Sequence, residues 1–248
     1  MIELHDIHFK YNSGEWVLKD INLTIGPAEY ILVCGANGSG KSTLGYLLNG
    51  LIPHFMEGEL IGSARVDGCD TKDLAVADLA EKVGLVLQNP EAQLFNATVA
   101  DDIAFGLESL GLPPQDINRR LEAVAAIFGL EELLPRDPHE LSGGEQQLVA
   151  IAAAFVLRPK LVVLDEPYAS LDPANVRRVR AALRRVHAEG TAVVVAEHRL
   201  QHVVDDADRM LVLERGQVVL DGPPSTVLAT DVTPFGLNSP TVARVGRE

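Results

Sequence analysis

Cysteine is nearly absent from this sequence, and its two copies, Cys34 and Cys69, cannot build a disulfide framework. With no Cys-x-x-Cys pair and no Cys/His cluster, nothing points to a structural metal, and a reduced, intracellular setting is expected. Basic residues are also scarce: 21 Lys and Arg stand against 35 Asp and Glu, a net charge of −14. Gripping nucleic acid requires clustered cations, so that function is not expected, and the acidity reads as solubility. No apolar run approaches the roughly 20 residues that span a bilayer. The N-terminal stretch MIELHDIHFKY alternates charged and apolar residues, unlike a signal peptide. Work at a membrane would therefore go through a partner. What is present is 47% hydrophobic residues in 248, enough for one large domain or a domain with an inserted lobe.

Periodicity divides the chain into three parts. In the first, Ile2 to Phe9 and Ile21 to Ile25 alternate as strands, and Tyr30 to Cys34 is a short apolar run that enters a glycine-rich loop. A helix is expected over Lys41 to Asn49. Strands follow over Gly62 to Val66, closed by an Asp67-Gly68 turn, and over Val83 to Leu87. The middle part, residues 89–157, reads as an inserted helical lobe. Ala97 to Leu110 suits a helix capped by Thr98, Ile117, Leu121, Val124 and Phe128 share a helical face after Pro114, and Gly143 to Leu157 forms a third helix. The α/β pattern then resumes with Leu161 to Leu164, a helix over Ala174 to Glu189, Ala192 to Ala196, and a hairpin of Met210 to Leu213 with Gln217 to Leu220. Five arginines between 177 and 185 spread over several faces of that helix, with Val176, Val179 and Leu183 inward, so a solvated face is expected rather than a binding patch.

Two motifs carry chemistry. Gly35-Ala-Asn37-Gly38-Ser39-Gly40-Lys41-Ser42-Thr43 matches GxxxxGK[ST] between a strand and a helix, the context that a phosphate loop requires. Its glycines let backbone N–H groups curl round an anion, and the helix start adds partial positive charge. Lys41 is expected on the β- and γ-phosphates and Ser42 on Mg²⁺. Further on, Leu161-Val-Val-Leu-Asp165-Glu166 is a buried strand ending in two carboxylates. Asp165 is expected in the Mg²⁺ environment through water, and Glu166 as the general base for an attacking water.

Leu141-Ser142-Gly143-Gly144-Glu145 then resembles the LSGGQ signature of the ABC ATPases, and the resemblance covers nearly the whole chain in family order. It implies an α/β P-loop NTPase core with an N-terminal antiparallel β-subdomain and an inserted α-helical subdomain. It places Tyr11 on adenine, Gln88 at the catalytic centre and its Mg²⁺, Ser170-Leu171-Asp172 in the loop after the acidic strand, and His198 at the γ-phosphate. Ser142, Gly143 and Gly144 would bind the ATP held by another subunit, with Asp172 near that contact. One copy of each motif implies a second ATPase chain, itself or a close homologue, packed head to tail. ATP and Mg²⁺ are the implied cofactors.

The run Gln88-Asn-Pro-Glu-Ala-Gln93-Leu-Phe, followed by Thr98-Val-Ala-Asp-Asp-Ile-Ala-Phe-Gly106, resembles the ATPases of energy-coupling factor transporters, including the cobalt and nickel type. This implies a micronutrient importer in which the chain sits on the cytoplasmic face of the membrane. It would drive a transmembrane coupling protein, with Gln93 in the segment facing it and a separate membrane protein capturing substrate. The tail 231–248 is expected to extend the dimer contact. A soluble ATPase acting on a protein assembly or nucleic acid, and a non-hydrolysing nucleotide-binding regulator, remain the alternatives. Several positions depart from the family: Glu145 replaces Gln, Leu148 replaces Arg, Tyr168 replaces Thr, and Glu197 precedes His198 where Ser or Thr is common. The Glu145 side chain is expected to point away, leaving the backbone to bind.

Overall fold

The computed structural model describes residues 1–12 and 14–237. Its elements run β1 (Ile2–Tyr11), β2 (Leu18–Ile25), β3 (Tyr30–Cys34), α1 (Lys41–Asn49), α2 (Leu51–His54), β4 (Gly58–Val66), β5 (Cys69–Asp70), α3 (Val76–Ala80) and β6 (Val83–Val86). They continue through α4 (Val99–Ser109), α5 (Pro114–Phe128), α6 (Gly143–Phe155), β7 (Leu161–Asp165), α7 (Pro173–Ala188), β8 (Ala192–Ala196), β9 (Arg209–Glu214), β10 (Gln217–Gly222) and α8 (Pro224–Ala229). The strands form two sheets. One is antiparallel, in the order β2-β1-β4-β5; the other is β10-β9-β3-β8-β7-β6, parallel except for its β10 edge.

Every residue of β3, β7 and β8 is buried, as the uninterrupted apolar runs require of strands covered on both faces. Successive side chains alternate between two cores. Tyr30, Leu32 and Cys34 of β3, with Val162 and Leu164 of β7, face the helices α4 to α7. Ile31, Val33, Leu161 and Val163 face the other way, against α1 and the antiparallel sheet. The C-terminal ends of β3, β7 and β8 thus come to one edge, the place where open parallel sheets bind ligands. The helical middle packs through Val99, Ile103, Leu107, Phe128, Leu148 and Phe155 into the first core.

Thr98 caps α4 as expected, its hydroxyl accepting from the Asp101 N–H at 3.1 Å. The arginines of α7 lie outside a buried face of Val176, Val179, Ala182, Leu183 and Val186, and Arg180 and Arg184 both pair with Asp206. Strand β4 differs from expectation. It begins at Gly58 and continues through Gly62, which marks a bulge rather than a start: its φ is 89°, and a Cβ there would lie 2.4 Å from the carbonyls of His5 and Asp6. The short elements α2, α3, β5 and α8 were not anticipated, being too brief to show a period. Of the tail 231–248, residues 238–248 lie outside the described residues. Before them, Val232 and Leu237 are buried in the first core, and Gly236 sits against Ala36 of the glycine-rich loop.

Candidate functional site

The loop between β3 and α1 encloses its own lysine. Lys41 is 6% exposed, and its Nζ donates to the carbonyls of Gly35 at 3.0 Å and Ala36 at 3.1 Å. Only glycine fits at position 35, where a Cβ would meet the Leu213 carbonyl at 2.3 Å. Gly40, with φ 107°, precedes α1 in the left-handed region, the kind of backbone turn from which anion-binding nests are made. A cavity of about 300 Å³ opens over this loop. Asn37, Gly38, Gly40, Lys41, Ser42 and Thr43 line one side, and Gln88, Glu166 and His198 the other. Val17, which carried no sequence signal, also lines it. Tyr11 stands at the rim, its hydroxyl 3.1 Å from that of Thr43 and its ring edge-on to Phe9. Gly35 and Ser39, both buried within the loop, do not line this cavity.

Asp165 ends β7 and is 6% exposed. Burial raises its pKa, a hydrogen bond from Ser42 opposes the rise, and its Oδ1 has no hydrogen-bond partner. An orphaned, buried carboxylate oxygen beside a serine hydroxyl is a hard-oxygen donor set that suits Mg²⁺. Among the described residues no cluster of three His, Cys, Asp or Glu could hold a metal alone, so a bound Mg²⁺ would need further oxygen ligands from phosphate or water.

Glu166 follows in the left-handed region, with φ 47°, uncommon for a residue with a side chain. Its N–H donates to Ala196 at 2.9 Å, and Gln88 Nε2 donates to its Oε2 at 3.1 Å. His198 Nδ1 is 3.7 Å from its Oε1, beyond hydrogen-bond length but within reach of charge. Residues from the ends of β6, β7 and β8 therefore converge on the phosphate loop.

Ser142, Gly144 and Asp172 do not line that cavity. Ser142 begins α6, and Gly143 faces a neighbouring cleft of about 350 Å³ with Gln88, Asn89, Pro90 and the loop after β7. Asp172 caps α7, accepting from Ala174 N at 2.7 Å and Asn175 N at 2.9 Å. Glu145 does not point away. Its Oε2 accepts from the Ser142 N–H at 2.9 Å and the Ser142 hydroxyl at 2.6 Å, closing a capping box. Those bonds hold its carboxyl below the usual range, so a full negative charge sits at the helix start.

Residues 18–169 match the ABC transporter family. The chain belongs to that family. It is 39% identical to the energy-coupling factor transporter ATP-binding protein EcfA1 of Caldanaerobacter subterraneus subsp. tengcongensis, over all of this chain and 90% of that one. It superposes on CbiO1 of Clostridium perfringens, described as part of the ABC transporter complex CbiONQ, with a TM-score of 0.83 and 31% identity over 100% and 98% of the two chains. A dimeric ATP-binding cassette in a post-hydrolysis state, bound to ADP and Pi, superposes with a TM-score of 0.78 and 26% identity over 90% and 99%. The chain is thus an ATPase that uses ATP and Mg²⁺. Its fold is the ABC ATPase fold, with the antiparallel and parallel sheets of that class.

A third cavity, also about 350 Å³, was not foreseen as a groove. It runs between the core and the helical lobe and is lined by Leu85, Leu87, Leu94, Phe95, Asp102 and Phe105, among others. Phe95 and Phe105 meet edge to face at 5.0 Å and remain 62% and 46% exposed. Gln93 lies in this segment but turns inward, accepting from Leu87 N and donating to Leu85 O. Asp102 is buried; its Oδ1 accepts from Phe95 N and Asn96 N, while Oδ2 has no partner.

Proposed function

We propose that this ATPase energises an energy-coupling-factor-type importer of a vitamin or transition-metal ion, from the cytoplasmic face of the membrane, through a separate transmembrane coupling protein. The observation that carries this reading is the groove beneath Phe95 and Phe105. Two large apolar rings left exposed at the mouth of this groove suit an apolar helix of a partner. No helix among the described residues is long and apolar enough to cross a membrane. The relative named EcfA1 and the neighbour from the CbiONQ complex support the same reading.

The test is co-purification of the tagged protein from membranes solubilised in mild detergent. A polytopic coupling protein with a small substrate-capture protein is expected. Phe105→Asp should weaken that association by roughly 30-fold or more, as loss of a central interface aromatic does, with ATP binding unchanged. A soluble complex without membrane proteins would favour an ATPase acting on a protein assembly.

Within the site, Lys41 and the loop N–H groups hold the β- and γ-phosphates, and Tyr11 stacks on the adenine. Ser42 and Gln88, with Asp165 through water, would hold Mg²⁺, which would neutralise charge developing on the phosphates. Glu166 accepts a proton from the attacking water, oriented with Gln88, and His198 donates to the γ-phosphate. Ser142, Gly143, Gly144 and Asp172 close over the ATP of a second ATPase chain packed head to tail, and the dimeric neighbour supports such pairing. The Glu145 carboxylate already satisfies Ser142, so it competes with that phosphate. Glu145→Gln should lower the ATP concentration needed for dimerisation by about two- to tenfold, the size of a charge effect at a helix start, as measured by light scattering. An unchanged requirement would show that the carboxylate swings clear without cost.

A further inference from the structure

Glu197 is a carboxylate with no evident reason to be buried, yet it is 2% exposed at the end of β8. Burial raises its pKa, and none of the ion pairs among the described residues includes it. A buried carboxylate is costly unless its hydrogen bonds are made. Here all of those bonds go to two loops. Oε1 accepts from Tyr168 N at 3.3 Å, in the loop after β7. Oε2 accepts from His198 N at 3.2 Å and Arg199 N at 3.4 Å, in its own loop. The sheet ladder ends just before: Asp165 is registered with Ala196, and Glu197 N donates to Val33. Past the Glu166 N bond to Ala196 O, the sheet no longer fixes the two chain segments relative to one another.

Glu166 stands in the first segment, two residues before Tyr168, in a backbone conformation that persists only where its surroundings over-determine it. Three contacts do so: Glu166 N to Ala196 O at 2.9 Å, Ala169 N to Glu166 O at 3.0 Å, and Tyr168 N to Glu197. His198 stands in the second segment. We propose that Glu197 is a positioning residue, whose carboxylate ties the loop carrying Glu166 to the loop carrying His198 and so holds these two side chains 3.7 Å apart across the phosphate loop. The proposal rests on the roles given to Glu166 and His198 above. Glu197 itself lines no part of the nucleotide cavity, so it acts through them.

Glu197→Gln keeps the volume but replaces one acceptor by a donor, so one of the two loops must be released. Glu197→Thr keeps an acceptor for its own turn but is too short for Tyr168 N. Both variants of the full chain would be assayed for ATP hydrolysis, for nucleotide affinity and for melting temperature. The expected result is a kcat lower by roughly tenfold to a hundredfold, the cost of misplacing a reacting group by about an ångström, with ATP affinity within about twofold. Combined with Glu166→Gln, Glu197→Gln should add no further loss, since both act on one step. A parental kcat in both variants, with only a lower melting temperature, would make Glu197 a structural peg and overturn the proposal, as would a loss that multiplies with that of Glu166→Gln. If Glu166→Gln itself hydrolyses ATP at the parental rate, the base assignment fails, which is a different result from an inactive Glu166→Gln beside a fully active Glu197→Gln.

Discussion

Glu166→Gln is expected to lower ATP turnover by about 10²–10⁴-fold, the range general-base assistance contributes, while ATP binds as before. The substitution keeps the side chain's size and its place at the end of β7, and the Glu166 N–H bond to Ala196 is made by the backbone in either case. What it removes is the carboxylate proposed to take a proton from water beside the γ-phosphate. The oxygen that receives Gln88 Nε2 at 3.1 Å lies on the same carboxylate, so the amide must rearrange one of these contacts without gaining basicity. In the proposed head-to-tail pairing hydrolysis separates ATP-bridged subunits, so the variant should also accumulate as an ATP-bound dimer. The check is steady-state phosphate release, together with light scattering in ATP. Turnover at the parental rate would mean that another group takes the proton. A loss of turnover accompanied by a loss of ATP affinity would mean that Glu166 holds the site together rather than acting on water.

Sequence carried those parts of the fold in which one interaction dominates. Continuous apolar runs specify β3, β7 and β8 because five successive buried apolar residues suit a strand covered on both faces. The phosphate loop is legible for the same reason: its glycines answer to contacts as specific as the 2.3 Å that would separate a Cβ at Gly35 from Leu213 O. Less legible were features decided by partners distant in sequence. Gly62 looks like a strand start until His5 and Asp6 are seen opposite it. Glu145 was expected to turn outward, but the hydroxyl and N–H of Ser142 three residues earlier offer two donors, and its carboxylate takes both. Glu197 reads as an oddity before His198, and its purpose is visible only when Tyr168, 29 residues away, donates to it. Asp102 lies within a run of resemblance, but nothing local shows that one oxygen would be left without a partner in a groove.

Lys41→Ala is expected to fail at an earlier step than Glu166→Gln, and the two can be told apart in one instrument. The Lys41 ammonium is buried against the Gly35 and Ala36 carbonyls, in the cavity where phosphate charge must be met. Its exchange of those two carbonyls for phosphate oxygens replaces ion–dipole contacts with contacts between opposite charges, which are stronger in a buried site. Removing one partner of such a buried pair costs roughly 2–5 kcal/mol, or about 30-fold or more in affinity. ATP stabilises the folded protein by RT ln(1 + [ATP]/Kd), so at a given concentration the melting temperature rises more the tighter ATP binds. A protein with an intact phosphate loop should therefore melt higher in ATP whether or not it turns ATP over. Glu166→Gln should keep that rise in full, and Lys41→Ala should lose most of it at the same ATP concentration. The melting temperature without nucleotide should change little, because Lys41 bonds only the loop that it fills. A full ATP-induced rise in Lys41→Ala would contradict the phosphate-loop assignment, since the backbone N–H groups would then suffice to hold the nucleotide.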